Sequence, residues 1–465
     1  MARTDSKIAW CPTIRKADGP LYLAITDALS ADILSGKLAA GDRLPPQRAL
    51  AEALEIDFTT VSRAYAEAGK RGLVEGKVGQ GTYVRKKHSA ARRPVPSGLV
   101  DMSMNLPPRF DDAELVSRMW EGIRNLETSD GIDLLMRYQE AGGARRDREA
   151  GALWLSSRLD GVTPDRVLIC PGAQGALLAL AGLLAEPGET ILAEALTYPG
   201  IRSVAAHLRL NLAAVAMDEE GLIPQSFEDA CLRTKPKALY CTPTLQNPTT
   251  ATLSMARRHA IVDIARRYQV PIIEDDAYGA LPVAPLPPLA SLAPELVYHI
   301  AGLAKCVAPA LRIAYLVAPE GSATSRVNNA IRATASMASP LTAAIASHWI
   351  EDGIAEAVVA AIRRETAARQ SIAIGILPAR NVRSDPQGFH AWLALTPPWT
   401  RAEFSSRLRS EGISVVASDA FALGPAPEAV RLGLGAPESR EDLAKSLRVV
   451  ADLLDQSPDA FSMVV

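Results

Sequence analysis

One lysine and one arginine stand in an otherwise almost wholly apolar run, GLAKCVAPALRIAYLVAP at residues 302–319. Lys305 has two explanations. Its stem can pack in the core while its ammonium reaches water, or its amine can be buried, which favours the neutral form that attacks an aldehyde to give a Schiff base. In the second case the planar fork of donors on Arg312 suits an anionic group, such as a phosphate, on the same ligand.

Two earlier segments could complete such a site. PIIEDDAYG (271–279) predicts a buried strand that ends in Asp275, with Tyr278 just after it. Carboxylates at such a strand end lie where the ligand crevices of α/β proteins form, although surface acids would give the same pattern. Asn247, in the Asn-Pro turn of CTPTLQNPTT (241–250), could donate a hydrogen bond to a phenolic oxygen, but this dipeptide is common in ordinary turns.

A third segment, CPGAQGALLALAGLL (170–184), predicts an apolar helix that begins near Gly172, Ala173 and Gln174. The free backbone donors and the dipole of a helix start favour a phosphate, although a helix start alone is a weak indication. Together the segments could bind pyridoxal phosphate, which carries an aldehyde, a phosphate and a pyridine nitrogen that a carboxylate keeps protonated.

In this order and spacing, GAQGAL, NPT, DDAY, the lysine segment and a late VRLGLG resemble the fold-type I pyridoxal phosphate enzymes of the aspartate aminotransferase family, over roughly residues 101–455. The resemblance implies a role for each matching residue, pyridoxal phosphate as cofactor and a homodimer. Lys305 would be the Schiff-base lysine, Asp275 would bind the pyridine nitrogen, and Tyr278 and Asn247 would bind the phenolic oxygen. The phosphate would be held by Gly172, Ala173, Gln174 and Arg312, and by Tyr138 of the neighbouring subunit. Tyr198 would stack on the pyridine ring, and the guanidinium of Arg431 would bind a substrate carboxylate.

Four positions depart from the commoner pattern of that family. Gly302 and Ala304 stand where small hydroxyl residues often flank the lysine, Ala310 replaces a glycine, and Thr250 replaces the glycine of an Asn-Pro-Thr-Gly turn. The missing hydroxyls remove phosphate contacts. We therefore expect a weaker affinity for the same cofactor.

The composition indicates a globular chain of 465 residues, 48% of them hydrophobic, which suggests two to four domains. Its longest apolar runs, such as ALLALAGLLA, fall short of the roughly 20 residues that a membrane-spanning helix needs, and its start MARTDSKIAW lacks a signal-peptide core. Five cysteines without metal-type pairs are typical of a reducing compartment. We predict a cytoplasmic protein with no membrane partner and no metal site.

The charge is unevenly distributed along the chain. Residues 1–93 carry 16 Lys and Arg against 10 Asp and Glu, a balance of +6 in a chain of net charge −2, so the remainder carries −8. A basic N-terminal region followed by an acidic remainder favours a nucleic-acid partner for the N-terminal region. A solvated helix face would give the same count.

The pattern of this basic region is more specific. Residues 20–35 predict a helix, and two short helices from Pro46 and from about Phe58, joined by a tight turn, predict a helix-turn-helix. The following LVEGKVGQGTYVRKK (73–87) predicts a two-stranded ribbon with a basic end. Residues 20–88 resemble the winged helix-turn-helix of GntR-type bacterial regulators, and we predict this domain over residues 15–88. The resemblance implies DNA contacts by Arg48, Thr59, Thr60, Arg63 and Gly81.

Phe58 stands where many GntR-type relatives have arginine or serine, so it could pack instead of binding DNA. Prolines, glycine and serine without apolar periodicity then predict a linker over residues 89–108. The combination, with DMSMNLPP at the junction, resembles the MocR subfamily of GntR regulators, in which a winged helix is fused to an aminotransferase-like domain.

Strand-like runs alternate with helix-length segments in the rest of the chain. The alternation predicts an α/β fold with a mostly parallel seven-stranded sheet in a large domain over residues 109–319. A small C-terminal α+β lobe over residues 320–465 would bring Arg431 to the cofactor. The seven runs are RVLIC, TILAE, LAAVAM, ALYCT, PIIED, LVYHI and RIAYLVA.

Three functions compete on this sequence. The favoured one is a transcription regulator that binds a double-stranded DNA operator and uses pyridoxal phosphate to sense an amine, an amino acid or the cofactor itself. The alternative is a working aminotransferase with an accessory DNA-binding head. A vestigial dimerisation scaffold is disfavoured because Lys305, Asp275 and Arg431 are all present.

Overall fold

The computed structural model divides the chain into two units, an N-terminal unit, Met1–Ser97, and a C-terminal unit, Gly98–Val465. Within the described residues, no helix has both the length and the apolar character needed to cross a membrane. The structure describes residues 10–12, 20–35, 37–39, 41–71, 73–77, 81–84, 99–129, 131, 133–321 and 324–456.

The described residues of the N-terminal unit form three helices and a two-stranded antiparallel ribbon. Ile25, Leu29, Leu50 and Val61 are fully buried between the helices, as their spacing predicts. The tight turn before the last helix passes through Glu55, whose φ of 53° lies in the left-handed region that usually takes glycine. The elements are α1 (Leu21–Leu34), α2 (Gln47–Ala53), α3 (Phe58–Lys70), β1 (Val74–Lys77) and β2 (Gly81–Val84).

The ribbon begins as the sequence predicts, with Val74 opposite Val84 and Lys77 opposite Gly81. Its predicted tip at residues 78–80 and its basic end at residues 85–87 lie outside the described residues. Gly81 has a φ of 116°, which a residue with a Cβ rarely adopts. This explains the need for glycine where the second strand begins.

The C-terminal unit has a large sheet of seven strands in the order β4-β12-β11-β10-β9-β5-β6. Only β12 runs antiparallel to its neighbours, so the predicted mostly parallel seven-stranded sheet is confirmed. The strands of this unit are β3 (Val100–Asp101), β4 (Val167–Cys170), β5 (Thr190–Glu194), β6 (Asn211–Val215), β7 (Met217–Asp218), β8 (Gly221–Leu222), β9 (Ala238–Cys241), β10 (Ile272–Asp275), β11 (Val297–Gly302), β12 (Ala314–Val317), β13 (Val382–Ser384), β14 (His390–Ala394), β15 (Ile413–Ser414), β16 (Val416–Ala417) and β17 (Ala429–Gly433).

Helices pack on the large sheet and on a second, four-stranded antiparallel sheet of order β13-β14-β17-β16. The central strands of the large sheet are buried on both faces, which is why they appear in the sequence as continuous apolar runs. The helices are α4 (Ala113–Ser129), α5 (Asp133–Met136), α6 (Arg145–Leu155), α7 (Gly172–Leu184), α8 (Pro199–Leu208), α9 (Pro224–Thr234), α10 (Met255–Tyr268), α11 (Leu289–Leu292), α12 (Thr324–Ala335), α13 (Pro340–Glu351), α14 (Ile354–Ile376), α15 (Arg401–Ser410) and α16 (Arg440–Leu454).

The structure differs from the expected linker over residues 89–108. Residues 89–98 lie outside the described residues, but residues 99–108 belong to the C-terminal unit. Strand β3 pairs in parallel with β15, and the side chain of Met102 is fully buried. Burial of Met102 against the four-stranded sheet's core holds this segment in place, whereas its prolines and polar residues alone suggested a linker.

Candidate functional site

A cavity of about 460 Å³ lies in the C-terminal unit, where β9, β10 and β11 end. The carboxyl ends of parallel strands form the ligand crevice in this class of sheet. Most of the site residues predicted from the sequence meet in its wall. These are Ala173, Gln174, Tyr198, Asn247, Asp275, Tyr278, Lys305, Arg312 and Arg431.

Lys305 follows β11 and points into this cavity wall, where its ammonium donates a hydrogen bond to the main-chain oxygen of Asn105. Burial and the positive charge of Arg431, opposed by the negative charge of Asp275, together lower the pKa of Lys305 to about 8. The side chain is therefore not the exposed, snorkelling lysine of the alternative explanation. It is an amine with an appreciable neutral fraction near physiological pH.

Asp275 ends β10 with its side chain only 5% exposed. Its Oδ2 accepts a hydrogen bond of 2.8 Å from the Tyr240 hydroxyl on the neighbouring strand β9, and its Oδ1 has no hydrogen-bond partner among the described residues. Burial raises the pKa of Asp275 to about 6, against the lowering effect of the Tyr240 hydrogen bond. The carboxylate is thus oriented by one oxygen and offers the other to a donor on a ligand.

The cavity wall also contains Arg312 and residues from the start of α7. Gly172 has a φ of 76°, and a Cβ added there would lie 3.2 Å from an Nη atom of Arg312, so the guanidinium packs against this glycine. Gln174 donates a 3.0 Å hydrogen bond to the main-chain oxygen of Gly200. The helix start and a cation therefore face the same end of the cavity, an arrangement that favours an anion.

Tyr198 occupies the N-cap position of α8 and lines the cavity. A Cβ on Gly200 would overlap the Tyr198 ring, so the glycine leaves room for that ring. Burial and the negative charge of Asp275 raise the pKa of the Tyr198 hydroxyl. The ring is therefore a neutral aromatic wall at working pH.

Arg431 reaches the cavity from β17 of the second sheet. Its Nη1 donates a 2.8 Å hydrogen bond to Oδ1 of Asn247, and its Nη2 donates a 2.5 Å hydrogen bond to the main-chain oxygen of Ser103. The guanidinium also lies 5.1 Å from the centre of the Phe421 ring. A cation held among neutral acceptors and an aromatic face can exchange one of them for an anion on a ligand.

Sequence reasoning missed the segment of residues 102–106, which we call the strap. Its Asn105 donates a 2.8 Å hydrogen bond from Nδ2 to the hydroxyl of Tyr278, and its main-chain oxygens accept from Lys305 and Arg431. Tyr240 was also missed. A signal for the strap exists in the two glycines of VRLGLG, because a Cβ on Gly433 would lie 2.5 Å from the main-chain oxygen of Met104.

Tyr138 lies outside the cavity and is 89% exposed. It follows the short helix α5. This placement is compatible with the expected contact to a neighbouring subunit, which stays a prediction.

Thr250 and Arg312 are two of the non-glycine residues with left-handed backbone near the site, with φ values of 66° and 53°. Thr250 occupies the place where the resemblance expects glycine, and its amide donates a 2.7 Å hydrogen bond to the main-chain oxygen of Gln246. That hydrogen bond holds the turn that presents Asn247 although the residue has a Cβ.

The predicted DNA contacts lie on one cleft and one helix of the N-terminal unit. A cleft of about 330 Å³ is lined by Arg43, Arg48, Phe58 and Gly81, among others. Phe58 is 43% exposed, and the Arg48 guanidinium lies 5.9 Å from its ring centre. The cleft joins the starts of α2 and α3 to the ribbon.

The three predicted DNA contacts on α3, Thr59, Thr60 and Arg63, differ in the interactions that their side chains make within the unit. The guanidinium of Arg63 lies 4.4 Å from the ring centre of Tyr22, on an exposed face. Thr59 donates from its amide to Oδ1 of Asp57 at 2.7 Å and from its hydroxyl to the same oxygen, so it takes part in the cap of α3. Thr60 is half-buried beside it. Of the three side chains, that of Arg63 is therefore the one whose donors are most accessible to DNA.

The pKa of Lys305 predicts the pH dependence of cofactor association. The pKa of Lys305 is lowered from its ordinary value of 10.5 to about 8, so the neutral amine predominates above about pH 8 and is lost as the pH falls below it. If pyridoxal phosphate is the ligand that reacts with this amine, the rate of its binding, followed by absorbance, should rise about tenfold per pH unit up to about pH 8 and then level. A rate that keeps rising through pH 10 would show an ordinary, exposed lysine.

Comparison with known proteins finds a family match for each of the two units. The aminotransferase class I and II family matches residues 100–450, and the gntR family of bacterial regulatory proteins matches residues 21–84. The HTH-type transcriptional regulator YdeF of Bacillus subtilis is 31% identical over 454 residues, which are 96% of this chain and 97% of that protein. The HTH-type pyridoxine biosynthesis transcriptional regulator PdxR of Corynebacterium glutamicum is 27% identical, over 84% of this chain and 87% of that protein.

Among solved structures, LysN of Thermus thermophilus is similar over 77% of this chain and 92% of that chain, with a TM-score of 0.69 and 26% identity. LysN is an alpha-aminoadipate aminotransferase, solved in complex with N-(5'-phosphopyridoxyl)-L-leucine. The match over residues 100–450 covers most of the chain, and the YdeF match extends through the N-terminal unit. The chain therefore belongs to the aminotransferase class I and II family and, with its gntR-family N-terminal unit, to the HTH-type transcriptional regulators of the MocR type.

Proposed function

We propose that this regulator binds pyridoxal phosphate at Lys305 and uses it to sense an amine, an amino acid or the cofactor itself in the cytoplasm, and that the sensed state sets its affinity for a DNA operator. The observation that carries the proposal is the meeting of a buried amine, a buried carboxylate and an anion-binding end in one cavity. The same chain carries a gntR-family DNA-binding unit.

The residues present fit pyridoxal phosphate. The Asp275 Oδ1 is buried and has no partner among the described residues, as expected for an oxygen that accepts a hydrogen bond from a protonated pyridine nitrogen. Gly172 leaves room beside the Arg312 guanidinium that a Cβ would partly fill. Tyr278 and Asn247 line the cavity between Asp275 and Arg431, where a phenolic oxygen would find donors. A donor set of this kind matches the aldehyde, phosphate and ring of one ligand.

When bound, pyridoxal phosphate supplies an aldehyde and an electron-withdrawing ring. Lys305 would supply the amine for the aldehyde and, when not bonded to it, would be able to accept a proton as a base. Asp275, whose pKa of about 6 leaves it ionised at pH 7, stabilises a protonated ring nitrogen. Arg312 and the start of α7 hold the phosphate.

Arg431 is proposed to bind the carboxylate of an amino-acid effector. Burial lowers the pKa of its guanidinium, a sign that its charge is held in a poorly solvated site. An anion there gains more than it would in water. Effectors that carry a carboxylate are therefore expected to bind more tightly than the corresponding simple amines.

Tyr138 is proposed to contact the phosphate bound by a second subunit, in a homodimer that presents two DNA-binding units to an operator. Its 89% exposure leaves the hydroxyl accessible to such a partner. Sedimentation should show a dimer, and Tyr138→Phe should weaken pyridoxal phosphate binding about fivefold, the worth of one ordinary hydrogen bond. A monomer at working concentration, or an unchanged affinity in the variant, would contradict this role.

A working aminotransferase is the second candidate, favoured by the presence of every residue needed to bind the cofactor and an amino acid and by the similarity to LysN. Steady turnover on a panel of amino acids, measured as keto-acid release, would support it. Binding to an operator upstream of the protein's own gene, with an affinity that changes when cofactor is added, would support the regulator instead.

The DNA-binding surface yields a separate prediction. Arg48→Ala and Arg63→Ala should each weaken operator binding by about 1–3 kcal/mol if the side chain contacts a base. If it contacts a phosphate instead, the slope of log affinity against log salt should fall by roughly one. Fluorescence anisotropy with a labelled operator measures both quantities.

The matched control is Lys70→Ala, which removes an exposed positive charge at the far end of the same helix as Arg63. This variant should bind the operator with an affinity close to that of the wild type. If both arginine variants also bind like the wild type, the proposed surface is wrong. Neither arginine change should alter the absorbance of bound cofactor.

A further inference from the structure

We propose that the strap, residues 102–106, competes with the ligand for the donors of the cavity, so that occupancy of the cavity displaces the strap. This inference rests on the proposed function. It concerns the segment that directly follows the region between the two units in the chain, which gives it a route to influence DNA binding.

The strap holds the same groups that a ligand needs. The Lys305 ammonium donates to the main-chain oxygen of Asn105, and Arg431 donates to that of Ser103 at 2.5 Å. The side chain of Asn105 donates to the Tyr278 hydroxyl at 2.8 Å. An aldehyde that takes the Lys305 amine, or a carboxylate that takes the Arg431 donor, must remove it from the strap.

Asn105 is itself built into the cavity wall. Its side chain is 5% exposed, and its Oδ1 has no hydrogen-bond partner among the described residues. A buried amide with one unsatisfied oxygen is an arrangement that gains little from staying in place. Since the other contacts of the strap to Lys305 and Arg431 are made by main-chain oxygens, this one side chain supplies the specific attachment to Tyr278.

The strap also packs against the strand that carries Arg431. The amide of Gly433 donates a 2.8 Å hydrogen bond to the main-chain oxygen of Met102, and a Cβ on Gly435 would overlap the main-chain oxygen of Leu106. The two glycines therefore allow backbone to lie directly on backbone. A change at Arg431 and a change in the strap cannot occur independently, because they share this contact.

The strap continues without interruption into β3, whose Val100 amide donates a 2.7 Å hydrogen bond to the main-chain oxygen of Gly412. Towards the N-terminus, the chain leads from β3 to the gntR-family unit. Displacement of the strap therefore pulls on β3, the segment that connects the strap to the gntR-family unit along the chain. A two-state element that both the ligand and the DNA-binding unit bias is the physical requirement for coupling.

Hydrogen exchange measured by mass spectrometry on the full-length protein tests the competition, with pyridoxal phosphate as the probe. After depletion of bound cofactor, adding pyridoxal phosphate should speed exchange in peptides covering residues 99–108 and at the Gly433 amide by about fivefold, the factor for one ordinary hydrogen bond. Lys305→Ala should produce the same increase without any probe, because it removes the donor to Asn105.

Asn105→Ala is the sharper variant, because it removes the attachment to Tyr278 and leaves the main-chain oxygens in place. Its affinity for pyridoxal phosphate should rise on the order of fivefold. Its operator affinity without cofactor should move towards the value that the wild type shows with cofactor. The control is Asn211→Ala on β6, where the side chain donates to the main-chain oxygen of Gly188, far along the chain from the strap; it should change neither quantity.

The outcomes separate this inference from the proposed function. If absorbance shows pyridoxal phosphate on Lys305 but exchange in the strap stays unchanged or slows, the competition is overturned and the function stands. A weaker cofactor affinity in Asn105→Ala would show that Asn105 serves the bound ligand and would also overturn it. Failure of pyridoxal phosphate to bind at Lys305 would overturn both.

Discussion

Lys305→Ala is expected to abolish the visible absorbance of bound pyridoxal phosphate and the covalent attachment of the cofactor by borohydride. The physical reason is that burial lowers the pKa of this amine to about 8, so it is the reactive amine in the cavity wall. Phosphate contacts at Arg312 and the start of α7 remain, so some non-covalent binding should persist at high concentration. The absorption spectrum and a peptide map of the reduced adduct measure the effect.

Lys235→Ala is the matched control, because this exposed lysine at the end of α9 lies outside the cavity wall. It should retain the full absorbance and the adduct on Lys305. A reduced adduct found on any other lysine of the wild-type protein would show that Lys305 is not the attachment site.

Arg258→Ala is expected to destabilise the C-terminal unit by about 3–5 kcal/mol, because it leaves buried acceptors without a donor and opens a cavity. Arg258 is fully buried on α10, with no exposed surface. It donates to the main-chain oxygens of Leu253, Pro287 and Pro243 and to the Thr244 hydroxyl, at 2.9–3.2 Å. Pro243, Thr244 and Leu253 flank the turn that presents Asn247. Calorimetry should show a lower melting temperature for this unit.

The same change should weaken cofactor binding as well, because the turn that carries Asn247 loses its support. Arg266→Ala removes an arginine from the same helix, where it forms an exposed ion pair with Glu295. An exposed pair of this kind contributes about 0–1 kcal/mol, so this control should be nearly neutral. Equal losses in the two variants would indicate a general effect of shortening side chains on α10.

The large sheet could be predicted from the sequence because its strands are buried on both faces. Runs such as the one before Asp275 are continuous apolar stretches of a length typical of strands, and they alternate with helix-length segments. The site followed from the same reasoning. Ligand crevices form at the carboxyl ends of parallel strands, so Asp275, at the end of a predicted strand, was expected at the ligand site with Lys305.

The strap could not be predicted by the same reasoning. It contacts Lys305 and Arg431 through main-chain oxygens, which every residue has, so the side-chain pattern carries no sign of the contact. The strap lacks apolar periodicity and is followed by Pro107 and Pro108, which is typical of a linker. The physical sign lies more than 300 residues away, in Gly433 and Gly435, whose missing side chains make room for the strap backbone.

The sequence alone did not show that non-glycine residues adopt left-handed conformations at two turns. Glu55 and Thr250 adopt backbone conformations that favour glycine, at φ values of 53° and 66°. The hydrogen bonds of the surrounding turn determine these conformations, and the residue type works against them. The expected helix-turn-helix nevertheless formed, because the buried faces of α1 and α3 decided its packing.

The central claim, that cofactor chemistry at Lys305 controls DNA binding, is tested most directly by titrating a labelled operator with wild-type protein and with Lys305→Ala, each with and without pyridoxal phosphate. We predict that the cofactor changes the wild-type operator affinity by about 5- to 150-fold, the usual range of allosteric coupling, and that Lys305→Ala keeps basal DNA binding but shows no response. A wild-type operator affinity that is the same with and without cofactor, or an equal response in Lys305→Ala, would contradict the claim.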